Sequence, residues 1–156
     1  MANSVMQLMA HLAALTPANA CYLAIAVKEL FIARVRHSTT QAGTLIQELR
    51  SRQSPIARAV GAPMKALDVG RLSWAIGAAA AHVPWRADCL VRAMAAERWL
   101  RRHGMQPEFC LGVVLRPETG LSAHAWLQCG GIAVTGGESG DYTRFIEPPA
   151  DRMSGA

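Results

Sequence analysis

No apolar run in this chain is long enough to cross a bilayer. The two best candidates are residues 21–27, which end at Lys28-Glu29, and the alanine-rich residues 72–83. Both fall well short of the ~20 residues a spanning helix needs. The first 27 residues hold no Lys or Arg, so the basic start of a secretory signal is missing, and Ala20-Cys21 lacks the apolar context of a lipoprotein site. A cytoplasmic protein is expected. The four cysteines (Cys21, Cys89, Cys110, Cys129) include no Cys-x-x-Cys pair, which argues against a zinc ribbon and a thioredoxin-like couple and for free thiols. Residues 136–140 are glycine-rich but lack the Gly-Lys-Ser/Thr of a phosphate loop, and there is no internal repeat. Charged residues make up only 17% of the 156 and apolar ones 51%, which excludes a disordered chain and suits one domain with a single core. Sixteen Lys/Arg against eleven Asp/Glu leave a net charge of +5, which favours acidic partners in general; no nucleic-acid partner is expected.

Helical signals fill the first two thirds. Asn3 or Ser4 caps an apolar periodicity through Val5, Leu8, Met9, Leu12 and Leu15. Thr16-Pro17 reads as an N-cap with proline at the first helical position, opening a long helix with Ala20, Leu23, Ala24, Val27, Leu30 and Phe31 on one stripe. Further helices are expected from Thr39 or Thr40 to about Arg50, from Ser54-Pro55 to Gly61, and from Asp68 to His82, where Pro84 stops it. A last one runs from about Cys89 to His103, with Gly104 as its left-handed stop. Beyond Gly104 the pattern turns to short extended runs at 108–115, 123–128 and 132–135, the last two joined by Gly130-Gly131, a two-residue hairpin turn. The layout is α+β, helices first and then a small antiparallel sheet.

Cys89 follows Asp88 into the first turn of its helix, where unpaired N–H groups and the positive end of the dipole favour a thiolate. His124 lies on a strand in Ala-His-Ala-Trp. A thiolate at a helix start facing an imidazole on a strand is the geometry of papain-type thiol hydrolases. Alone, each has a plainer role, Cys89 as a small hydrophobe and His124 as a packed strand residue. Cys129 is an odd number of positions from His124 and should point to the other face, which speaks against a Cys89/His124/Cys129 metal site. Trp85 and Trp126 flank the pair as core residues or as walls of a cleft. Arg98, Arg101, Arg102 and His103 read as a solvated basic helix end.

The run Pro84-Trp85-Arg86-Ala87-Asp88-Cys89-Leu90-Val91-Arg92-Ala93-Met94 is followed by Leu100-Arg101-Arg102-His103-Gly104, Leu111-Gly112-Val113 and Ala123-His124-Ala125-Trp126-Leu127. Together, over roughly residues 70–146, these resemble the transglutaminase-like leader peptidases of lasso-peptide biosynthesis. The resemblance implies a papain/transglutaminase-like core, a Cys-carrying helix packed on a small antiparallel sheet that carries the His. It implies a cysteine protease that cuts the leader from a ribosomally made precursor, with Cys89 as nucleophile and His124 as base, and no metal or organic cofactor. Its implied partners are the precursor peptide, a leader-recognition protein and an ATP-dependent lasso cyclase. The recognition domain of such systems is a winged-helix module; residues 1–66 read as helical throughout, so the split form is implied, with recognition on a separate protein. The division expected is a helical region at 1–66, a peptidase core at 67–150 and a tail at 151–156.

The family usually places an Asp about a dozen residues after the His, to orient the imidazole. Counting outward from Gly130-Gly131 pairs His124 with Gly137, and Gly136 and Gly137 occupy that register. Glu138, one residue on, is the candidate for reaching back; Asp141 is a poorer one, and a site without an acid is the alternative. Two other readings remain open: a transglutaminase-type acyltransferase, in which an amine resolves the thioester, and a non-catalytic scaffold or recognition module of the same fold.

Overall fold

The computed structural model describes residues 16–52, 67–116, 118, 120–137 and 142–146. The helices expected near residues 3–15 and 54–61 lie outside them. Four helices and four strands are seen among the described residues: α1 Pro17–Thr39, α2 Ala42–Arg52, α3 Val69–Ala80, α4 Cys89–Arg102, then β1 Glu108–Arg116, β2 Gly120–Cys129, β3 Ile132–Thr135 and β4 Thr143–Ile146. The chain is α+β, as its sequence pattern predicts, and no described helix is long and apolar enough to cross a membrane.

Caps set the helix starts. Thr16 Oγ1 accepts the Asn19 N–H at 3.2 Å, Asp68 Oδ1 that of Arg71 at 2.8 Å and Asp88 Oδ1 that of Val91 at 3.1 Å. Gly104, at φ 73°, ends the turn after α4. Leu72, Ala75, Ile76 and Ala79 form the buried stripe of α3, at the spacing of one helical face.

The stripe predicted for α1 is rotated. Ala26, Glu29, Leu30 and Ala33 are the buried residues, while Ala20, Ala24, Val27 and Phe31 are exposed. Small side chains at 26 and 33 let α1 pack closely against α3 and α4 around Leu30, and Val27, Phe31 and Val35 are left on the rim. Among the described residues the buried core therefore draws on both sides of residue 66, from Ala26 and Leu30 through α3 and α4 to Phe109, Ala125 and Leu127.

Two carboxylates lie inside, Glu29 and Glu97, each 1% exposed. Burial at that depth is costly for a charge unless cations and hydrogen bonds surround it. Glu29 takes Arg98 Nε at 2.6 Å and Arg102 Nη1 at 3.5 Å; Glu97 takes Arg101 Nε at 2.9 Å and Arg52 Nη1 at 3.4 Å. The basic end of α4, expected as a solvated face, is instead the counter-charge for both acids. Hydropathy along one helix carries no sign of a pairing whose partners are about seventy residues apart.

The sheet is antiparallel in the order β3-β2-β1-β4. Gly130 and Gly131 take φ 57° and 77°, as a two-residue hairpin turn requires. Cys129 pairs with Ile132 and Gln128 with Ala133, but Leu127 pairs with Thr135, so a bulge moves the register by one from simple counting. β4, which the sequence pattern does not foretell, adds to the far edge of β1 with Gly112 opposite Arg144. Alternation along the strands turns Phe109, Leu111, Ala125, Leu127 and Cys129 toward the helices. Cys110, Trp126 and His124 go to the other face.

Candidate active site

Cys89 opens α4 directly behind the Asp88 cap, half-buried at the margin of the helix-side core. Asp88 takes the amide of Val91 with its side chain and that of Arg92 with its carbonyl. The amides of Cys89 and Leu90 belong to the first turn, whose N–H groups have no partner within the helix, and they stay available to an incoming oxygen. The loop behind the thiol is tied down by Arg92, whose Nε donates to the carbonyl of Ala87 at 2.7 Å.

His124 sits in the middle of β2, opposite Gly112 on β1. Its Nε2 lies 3.2 Å from the carbonyl oxygen of Gly136, twelve residues on. A carbonyl can only accept, so Nε2 carries the proton and Nδ1 is left with the basic lone pair. The ring stacks on Trp126 (centroids 5.9 Å apart, planes at 19°) and meets Tyr142 at 5.1 Å. Three contacts thus fix ring and tautomer together. Trp126, 2% exposed, packs on the imidazole itself. Trp85 is half-buried with its ring edge-on to Phe31 at 5.5 Å.

A backbone oxygen stands at the register where the sequence resemblance leads one to expect an acid. Gly136 has φ 75°, and a Cβ there would fall 2.6 Å from Trp126 Cβ and 2.8 Å from the carbonyl of Ala125. Only glycine fits this approach. Glu138 and Asp141, the sequence candidates for the acid, lie outside the described residues. The carbonyl of Gly136 and the ring of Tyr142 are the site features that sequence reasoning misses. Glycine carries no side-chain signal for a hydrogen-bonding role, and Tyr142 precedes a strand that short-range pattern does not reveal.

Cys89 and His124 occupy different layers. The thiol borders the core that Ala125 and Leu127 share with α4, whereas His124 projects with Trp126 and Tyr142. No hydrogen bond joins the two among the described residues. Cys129 faces the helices, 6% exposed, and among the described residues no three metal-capable side chains come together.

Burial, with Glu108 adding to it, pushes the Cys129 thiol above its ordinary 9.0. As pH rises past that value, the unfolded chain loses this proton while the native chain retains it. The contribution to stability is therefore whole below pH 9.0 and lost as the pH climbs through the native value. The drop in melting temperature between about pH 7.5 and about pH 10 should be smaller in Cys129→Ala; an unchanged drop would assign it to other groups.

No curated protein and no solved structure matches the chain. The model of one family, the transglutaminase-like superfamily, matches residues 23–147, a span that begins inside α1 and takes in Cys89, His124 and Gly136. A half-buried cysteine at a helix start, a strand histidine with one nitrogen anchored and a match over most of the length agree, and the chain belongs to the transglutaminase-like superfamily.

Proposed function

We propose that this protein is a cysteine peptidase that removes the leader from a ribosomally made lasso-peptide precursor. The observation that carries the reading is the Nε2 anchor of His124 on Gly136, which leaves Nδ1 as a base of fixed orientation. The quoted motifs around Cys89 and His124 point to leader peptidases within the superfamily.

In the proposed reaction the thiol proton passes to Nδ1 of His124 and the sulfur adds to the leader–core carbonyl. The negative oxygen is received by the Cys89 N–H. Collapse breaks the C–N bond, His124 protonates the departing amine of the core, and water hydrolyses the remaining thioester to a leader carboxylate. Among the described residues no hydrogen bond joins thiol and ring, so the transfer requires a rearrangement on peptide binding that brings the His124 ring to the start of α4. In this reading the freed amine is the substrate of an ATP-dependent cyclase, and both steps occur in the cytoplasm. Recognition of the leader falls to a separate protein, and the Glu138 carboxylate is a candidate for reinforcing the imidazole.

Incubation with the precursor, followed by mass spectrometry, tests this. A single cut between leader and core is expected, slow with this chain alone and at least tenfold faster once the leader-binding protein raises the local substrate concentration. An intact precursor with both proteins present overturns the reading, and amine incorporation without hydrolysis would make the chain an acyltransferase.

A further inference from the structure

A cavity of about 270 Å³ opens between α3, α4 and the end of β3, lined by Ser73, Ile76, Gly77, Arg92, Val134 and Gly136 among others. It adjoins both halves of the candidate site. Arg92 is one turn along α4 from Cys89, and Gly136 is the residue whose carbonyl holds His124. Its walls are fixed, since Ser73 Oγ donates to the Val134 carbonyl at 2.7 Å and so fastens α3 to β3. The volume lies below the roughly 300–1,000 Å³ of sites for drug-sized ligands and suits one side chain.

Among the described residues Arg92 is the only charged one lining the cavity. Its Nε is spent on Ala87, and among the described residues no carboxylate pairs with its guanidinium. The terminal nitrogens keep the flat, two-pronged edge that recognises carboxylates. In a lining of small and apolar residues, one cation with no described counter-charge favours an acid over a neutral isostere. We infer that this cavity receives the carboxylate side chain of an Asp or Glu next to the bond to be cut, with Arg92 as its counter-charge. The inference rests on the peptide-cleaving reading for its substrate, but the pocket can be tested apart from it.

One arm titrates the full-length protein with glutarate, a free dicarboxylate, and follows amide and Arg92 Nε–H signals by NMR. Shifts centred on Arg92 and residues 134–137, absent in Arg92→Gln, are expected. The other arm compares precursor variants with Glu, Gln or Lys at the residues flanking the cut. At least a tenfold preference for Glu in kcat/KM is expected, lost in Arg92→Gln and turned toward Lys in Arg92→Glu. A glutarate titration without shifts at those residues overturns the pocket, as does a Glu-to-Gln ratio below about two in an active wild type. If no precursor is cut at all while glutarate still binds, the peptidase reading fails and the acid-binding cavity stands.

Discussion

Cys89→Ala is expected to lower leader removal by about a thousandfold or more while leaving the melting temperature nearly unchanged. Removing the nucleophile of a covalent catalyst costs several orders of magnitude, because the residual rate comes only from oxyanion contacts and binding. Alanine is well tolerated at the first position of a capped helix, and Cys89 is only half-buried. A second readout needs no substrate. Iodoacetamide at neutral pH should label Cys89, at the positive end of α4, ahead of the exposed Cys21, which lies beyond the first turn of its helix, and far ahead of the buried Cys110 and Cys129. A Cys89→Ala protein that still cuts, or equal labelling of all four thiols, would leave the fold without its proposed chemistry.

The second expectation runs against family pattern. Gly136→Asp puts an acid at the register where the resemblance to leader peptidases implies one, yet it should damage the protein. Position 136 has φ 75°, a conformation that costs a side-chain-bearing residue about 1–2 kcal/mol. Its Cβ would also press on Trp126 and the carbonyl of Ala125, adding about 1–3 kcal/mol of overpacking. The backbone must move, and with it the oxygen that holds His124. Denaturant unfolding should show a loss of about 2–5 kcal/mol, and cleavage should fall at least tenfold at a temperature where the variant is still folded. A variant that unfolds at the wild-type midpoint and cuts faster would mean that the Gly136 carbonyl is a bystander and that a carboxylate is what the site wants.

Features governed by a few neighbouring residues were readable in advance. The Asp88 cap, the span of α4 and the Gly130-Gly131 hairpin depend on local backbone chemistry, and each is where the pattern puts it. Features set by distant partners were not. α1 is rich in alanine, whose burial is decided by what approaches it, so the count of large apolar residues picked the wrong stripe. β4 is four residues long and exists through its pairing with β1, about thirty residues earlier. The bulge between Leu127 and Gln128 shifted the counted register by one. At the candidate site, Cys89 and His124 could be singled out because the proposed roles of nucleophile and base belong to side-chain identities. The partner of His124 was not, because it is main chain.

The arginines around Glu29 and Glu97 also bear on how this protein can be shortened or grafted. Arg98 and Arg102 project from the far end of the helix that begins with Cys89, and the acid they share belongs to α1. Cutting the chain at a boundary drawn near residue 66 would delete Glu29 and Arg52 together. Arg98 and Arg102 would be stranded side by side, Glu97 would lose one of its two cations, and the apolar flank of α4 would lie open where Ala26 and Leu30 had covered it. A catalytic fragment trimmed that way is a recipe for aggregation. Any minimal version or fusion should retain the chain from Thr16, so that the long first helix travels with the cysteine it braces.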